Sequence, residues 1–285
     1  MGTRGKTLRA VLILSALLCG SAGYAQATPR AEDAKPPAAT AGARVIRFSG
    51  YEWEVRPDAD GGPGPNHWDA NNVRVDSLGR LHLMLTHQGG QWRCAEVTTR
   101  RSFGFGRYQF QVTGALDRLD RNVVLGLFNY PQPGGGPDGT NEIDIEHSRW
   151  GNPASLPASE TIYPAHSGLA SVTHEFAMPP GLSDTTQRFD WQSAGISFQS
   201  LRGHRDDDQQ EYARWAFRPA DRQRLPQPPL PVHINLWLFQ GRLPQDGREV
   251  EIIVKRFSFA PLPPSPAKIL TGLARVVRGR HRGRG

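Results

Sequence analysis

Cysteine is nearly absent from this chain: there are two in 285 residues, Cys19 and Cys94. Cys19 lies in the apolar run LRAVLILSALLCG, which follows Arg4, Lys6 and Arg9 and precedes small residues. This is the layout of a secretory signal peptide, with Ala25-Gln26-Ala27 or Gly23-Tyr24-Ala25 as the cleavage motif. The run of about 11 apolar residues is short of the roughly 20 that an anchor needs. Leu18, just before Cys19, is too large for lipoprotein processing. Residues 1–27 are therefore expected to leave, and the protein to work outside the cell or in a periplasm. One cysteine then remains and no internal disulfide is possible, despite an oxidising destination. Cys94 is expected to be a small buried hydrophobe, not a reactive thiol.

Past the leader the chain has no long hydrophobic run, so no membrane span is expected. It also lacks a convincing amphipathic helix, an internal repeat and a heptad pattern; ARWAFRPADRQRL is expected to form at most a turn or two of helix. A basic body is missing too. Of the formal charge of +7, the leader supplies three cations, and the last eighteen residues supply six (Lys268, Arg275, Arg278, Arg280, Arg282, Arg284). Neither segment has an acid, which leaves the body at −2. A nucleic-acid-binding surface is excluded on that balance. The tail VVRGRHRGRG is expected to be a disordered, solvated end that could touch an anionic envelope surface.

Alternation is what the sequence does have. Residues 28–43 are rich in Ala and Pro and read as a linker. From there short period-two runs such as LHLMLT, RYQFQVTG, NVVLGLFNY, HINLWLFQG and VEIIVKRFSFA are separated by Gly, Pro, Asn and Asp. Thirty-one glycines and twenty-four prolines fit many turns. An all-β sandwich or barrel of antiparallel strands is expected over residues 44–262, with 263–285 outside it.

One run stands apart. In GTNEIDIEHSRWG, Glu142, Asp144 and Glu146 alternate with Ile143 and Ile145. On a strand the acids share one face, continued by Ser148 and Trp150, and the isoleucines take the other. His147 falls on the isoleucine side and is expected to be buried or at the rim. A solvated face would mix bases among the acids, and a Ca²⁺ site draws oxygens from more adaptable loops. Two carboxyls about 5–5.5 Å apart are what a retaining glycosidase uses as nucleophile and acid/base. Glutamates four residues apart, with Cα atoms roughly 13 Å apart, reach that separation by leaning together over a concave sheet. An acid between them would raise the pKa of whichever keeps a proton.

At this point the sequence resembles glycoside hydrolase family 16, whose hallmark is E-x-D-x-E on a strand of a curved jelly roll. The likeness runs from about Asn66 to Phe259, through WDANNVRVDSLGRLHL, CAEVTTRRSFGFGRYQF, LFNYPQPGGGPDGTNEIDIE, FDWQSAGISF and HINLWLFQG. It implies a β-jelly-roll sandwich of two curved antiparallel sheets with a substrate groove on the concave face. It implies Glu142 as nucleophile, Glu146 as acid/base and Asp144 as the residue that orients and tunes them. Glu96, Phe128, Tyr130, Asn235 and Trp237 are implied as groove residues, with Trp92 and Trp150 as weaker candidates for its walls. Aromatic plates and amides suit a polysaccharide, whose rings present apolar CH faces and hydroxyl edges.

Three departures touch the groove. Thr140 stands where licheninase-type members have a tryptophan, and Thr98 where they have an arginine. The segment NPASLPASETIYPAHSG lacks that subgroup's Asn and aromatic pattern. The uninterrupted E-I-D-I-E favours lichenase- or xyloglucan-type β-glucans over laminarin or agarose. The expectation is a monomeric retaining endo-glycosidase that hydrolyses or transglycosylates a β-linked polysaccharide without a cofactor. A structural Ca²⁺ on the outer face would accord with the family, its ligands unassigned. The rival readings are a lectin-like sandwich without turnover and an envelope protein held by its basic tail.

Overall fold

The computed structural model describes residues 43–131 and 137–262. The expected leader, the linker up to residue 42 and the basic tail lie outside the described residues.

Two antiparallel sheets face each other. Numbered along the chain, the first runs in the order β1 (Val45–Phe48), β2 (Tyr51–Val55), β7 (Gln91–Phe103), β16 (Leu230–Leu238), β9 (Val123–Asn129), β10 (Ile143–His147), β11 (Ala158–Ile162) and β12 (Val172–Phe176). The second runs β5 (Val73–Val75), β6 (Leu81–Gln88), β17 (Val250–Pro261), β8 (Gly106–Thr113), β13 (Asp184–Gln192), β14 (Gly195–Arg202) and β15 (Glu211–Phe217). A short hairpin, β3 (Ala59–Gly61) and β4 (Asn66–Trp68), lies beside β7, and the β6–β7 hairpin joins the sheets. Consecutive strands pair at the sheet edges, while sequence-distant strands are neighbours in the middle of each sheet, as in a jelly roll. The expected β-sandwich is thus the observed fold.

The core is what the alternation dictates. Ile143, Ile145, Leu125, Leu127, Ile234 and Leu236 of the first sheet are fully buried, as are Phe110, Val112, Phe189, Trp191, Leu83 and Val254 of the second. Tyr108 stacks on Phe189 at 4.6 Å between centroids, one of many ring contacts in this layer. Cys94 is buried and free, and burial pushes its thiol up to about 12. Of ARWAFRPADRQRL, the first part, ARWAF, is strand, and the expected helix is confined to the single 3₁₀ turn Arg222–Arg224 in its second part. The side chains of ARWAF alternate toward the sandwich edge, where Trp215 stacks on Phe198 and His174, and this tertiary gain overrides weak helix propensity.

The outer face of the second sheet is polar and covered. The β14–β15 loop folds across it: Arg205 N–H donates to Thr186 Oγ1 (2.8 Å) and Gln109 donates to Asp206 (2.8 Å). Arg188, 1% exposed, donates to Gln199 (2.7 Å), Gln109 (3.1 Å) and Asp208. No group of three or more His, Cys, Asp or Glu among the described residues is arranged to hold a metal ion. No helix among them is long and apolar enough to cross a membrane.

Candidate active site

The turn before β10 sets the acids. Gly139 (φ 74°) and Asn141 (φ 55°) take left-handed conformations that few other residues tolerate. Asn141 is fixed on three sides: its N–H donates to Pro164 O, its Nδ2 to Ala165 O, and its Oδ1 accepts from Gln227 N–H. Thr140, fully buried, ties the same turn by donating to Pro137 O at 2.6 Å, so its side chain serves the turn. Glu142 just precedes the strand, and its carbonyl accepts from Tyr163 N–H at 2.9 Å.

Register then lays two rows of side chains across the concave sheet. Glu146 pairs with Gly126, Gly126 with Asn235 and Asn235 with Glu96. Asp144 pairs with Phe128, Phe128 with His233 and His233 with Thr98. On the other side of β10, Glu146 faces Ser159 and Asp144 faces Thr161, whose hydroxyl bonds Thr173 at 3.1 Å. The expected acids, Phe128, Asn235 and Glu96 are thereby brought onto one surface.

Burial governs the electrostatics of the acids. It pushes Glu142 up to about 8, with the neighbouring Glu146 and Asp138 adding to it. Burial alone carries Glu146 to about 8. Asp144, buried between them, is raised well above the carboxylate range and shares a hydrogen bond with Glu142 that favours the proton on Asp144 and the charge on Glu142.

Glu96 is different. Burial works against its charge, yet Arg56 at 2.6 Å and His233 at 3.0 Å hold it below the usual range. Arg56 in turn lies 3.9 Å over the Trp68 ring. Glu96 is therefore ion-paired in the floor.

The aromatic candidates divide. Phe128 stacks on His233 at 4.9 Å, and Tyr130, past the end of β9, donates to Asp138 at 2.9 Å. Trp237 lies on the Asn235 face and meets Trp150 edge-on at 6.2 Å. Trp150 does not continue the acid face, because the strand ends at His147. It sits in a turn at φ 52°, its N–H bonded to Ser148 Oγ, a strained conformation for a bulky residue. Trp92 is set apart from the acids at the start of β7, against His87, in a cavity of about 150 Å³ with Asn66, His67 and Leu238.

Three members of this surface escape a reading of the sequence. Tyr163 lies beside the acids, whose charges together with burial raise its hydroxyl. His233 stands in the middle of the second row. Gly126 leaves a gap over which Asn235 lies: a Cβ there would fall inside contact distance of Asn235 Oδ1. His233 follows the same period of two as Asn235 and Trp237, and a glycine inside a strand marks close approach. Tyr163 depends on a pairing across a long connection and carries no local signal.

No family model matches the chain. Among curated proteins, the β-glucanase of Bacillus subtilis (strain 168) is 26% identical over 207 residues, covering 70% of this chain and 76% of that protein. Among solved structures, the Bacillus licheniformis β-glucanase superposes with a TM-score of 0.55 at 23% identity, over 78% of this chain and 100% of that one. A Bacteroides ovatus mixed-linkage-glucan GH16 structure in complex with a product gives 0.58 at 11% identity, over 73% and 94%. With E-I-D-I-E at the start of β10 and a shared jelly roll, this chain is similar to these β-glucanases in sequence and in fold.

Proposed function

We propose that the protein is an exported retaining endo-glycosidase acting on a neutral β-linked glucan. The observation that carries this reading is the acid row itself: Asp144, buried on β10, between the half-buried Glu146 and the half-buried Glu142 just before the strand, with Glu146 held up to about 8 by burial and Glu142 bonded to Asp144. Glu142, stabilised as the anion by the Asp144 proton, attacks the anomeric carbon. Glu146 passes its proton to the departing glycosidic oxygen. A covalent glycosyl–Glu142 ester forms as the bond to the leaving sugar breaks. Glu146, now ionised, takes a proton from water, which displaces Glu142 with net retention; a sugar hydroxyl in place of water makes the same step transglycosylation. Phe128, Tyr130 and Trp237 offer ring faces to the sugars, and Asn235 an amide.

The neutral class of substrate follows from charge. Glu142 holds its charge at the centre of the groove, with Asp138 beside it, and Arg56 is already paired with Glu96. A carboxylated or sulfated chain would meet like charge there. The β-glucanase names of the relatives and the uninterrupted acid motif support a lichenase- or xyloglucan-type glucan. Residues 1–27 would direct export and be removed.

The test is reducing-end release from mixed-linkage glucan, xyloglucan, laminarin and agarose, with the anomer of the first-formed product read by NMR. Mixed-linkage glucan or xyloglucan should be cleaved with retention, and Glu142→Ala should be inactive. Inversion, or activity surviving in Glu142→Ala, refutes the assignment.

A further inference from the structure

His233 is 3% exposed on the concave face, and its two ring nitrogens are treated very differently. Nδ1 lies 3.0 Å from Glu96 Oε1 and 2.9 Å from Thr98 Oγ1. Nε2 is buried with no hydrogen-bond partner. An ionised carboxylate only accepts, so Nδ1 carries a hydrogen toward Glu96. Glu96 is itself fixed by Arg56 at 2.6 Å, and Arg56 by the Trp68 ring. The chain Trp68–Arg56–Glu96–His233 thus locks the orientation and tautomer of an imidazole whose remaining nitrogen bonds to nothing.

That nitrogen is on the ring edge farthest from the backbone, on the groove face of β16 and beneath its surface. His233 stacks on Phe128 at 4.9 Å, and Phe128 is the register partner of Asp144. Two strand spacings separate His233 from Asp144, roughly 10 Å, which places it under the sugar next to the one being cleaved. Leaving a buried polar atom unpaired is costly in the free protein, and such exceptions call for an explanation. A purely structural bridge between β16 and β7 would use Nδ1 and leave no reason for an oriented nitrogen above it.

Resting on the glycosidase reading above, we propose that His233 is a specificity-determining residue whose Nε2 accepts a hydrogen bond from a hydroxyl of a neutral β-linked hexopyranose bound over Phe128. Nε2 is shielded from water in the free protein, and Tyr130, half-buried, stands edge-on to the imidazole at 6.1 Å, so the bond forms as Tyr130 turns its ring from the imidazole onto the bound sugar. Thr98 belongs to the same device: its hydroxyl, 2.9 Å from Nδ1, occupies the neighbouring strand position without competing for Nε2.

The experiment uses full-length protein with Glu142→Gln to block turnover, and titrates a mixed-linkage glucan tetrasaccharide by calorimetry with His233 and with His233→Leu. Binding should weaken at least tenfold in His233→Leu. The ¹⁵N resonance of His233 Nε2 should move on adding the sugar, a response that a structural role would not give. In the active background, His233→Leu should lower kcat/KM on the polysaccharide while Tm changes little. His233→Gln, which can still accept through its amide oxygen, should recover part of the loss if the leucine variant folds poorly. Unchanged affinity and an unmoved ¹⁵N resonance overturn the proposal. Binding without any turnover by the wild type defeats the hydrolase reading alone and leaves the His233 comparison intact. Neither binding nor turnover overturns both.

Discussion

Asn235 and Glu146 face each other across Gly126, which is the register partner of both. The amide crosses the glycine because nothing rises there, and its Oδ1 is buried without a protein partner. A methyl at 126 meets that oxygen inside contact distance. No left-handed backbone conformation is needed at this glycine, so the side-chain clash is the whole effect. Gly126→Ala should cost about 1–3 kcal/mol in stability by overpacking, and lower kcat/KM as the amide is pushed off the floor. Chemical denaturation and kinetics of Gly126→Ala, Asn235→Ala and the double variant check this. Adding Asn235→Ala should restore stability but not activity, and strictly additive stabilities would contradict the clash.

The two glutamates should fail in different ways. Glu146→Gln removes the proposed proton donor and should lower kcat on polysaccharide by about 10²–10⁴. It should matter far less for an aryl glycoside whose leaving group needs no proton. Glu142→Gln should be inactive on both. The alkaline limb of the wild-type rate should fall near pH 8, where Glu146 loses its proton, instead of in the ordinary glutamate range. Parallel pH–rate profiles on both substrates distinguish the roles, the alkaline limb weakening on the activated one.

Stability should decline toward both ends of the pH scale, for separate reasons. His147 is fully buried without partners, and burial depresses it to about 3. Its contribution is intact above about pH 6.5 and is lost as pH falls toward 3, when the unfolded chain takes up the proton and the folded one does not. Glu160 runs the other way. Burial raises it to about 8, so stability is lost as pH rises from about 4.5 to 8. His147→Leu should flatten the acid decline and Glu160→Gln the alkaline one, read from urea midpoints between pH 4 and 9.

How far the chain could be read in advance depended on whether a feature was local. Alternation gave the strands, and the isoleucines of E-I-D-I-E gave the face of the acids, because period two is a local consequence of the backbone. The sequence overran the strand at Trp150, where Ser148 and a left-handed backbone turn the chain away. It also took Thr140 and Thr98 as gaps in the groove. Thr140 closes the turn before Glu142, and Thr98 supports an imidazole on a strand 135 residues away. Tyr163 was out of reach for a related reason, its place beside the acids being set by pairing across a long connection, whereas His233 was marked by the period of two it shares with Asn235 and Trp237.

The opposite face should report on stability and not on catalysis. Arg188 donates to Gln199, Gln109 and Asp208 beneath the β14–β15 loop, on the far side of the sandwich from Glu142. Arg188→Met should strand those acceptors at about 1–3 kcal/mol each where they stay buried, and free the loop to proteolysis. kcat/KM at 25 °C should be unchanged. A matched loss of kcat/KM would show that the two faces are coupled.

Cys94 bears on where such a protein can be made. Its thiol is buried against Asn66 of the β3–β4 hairpin and bonded to no second cysteine, so the described fold contains no covalent cross-link to be formed, shuffled or broken. The same native state is reachable in a reducing compartment and in an oxidising one. Its assembly needs no thiol oxidant or isomerase, and a strong reductant should leave its melting temperature where it was.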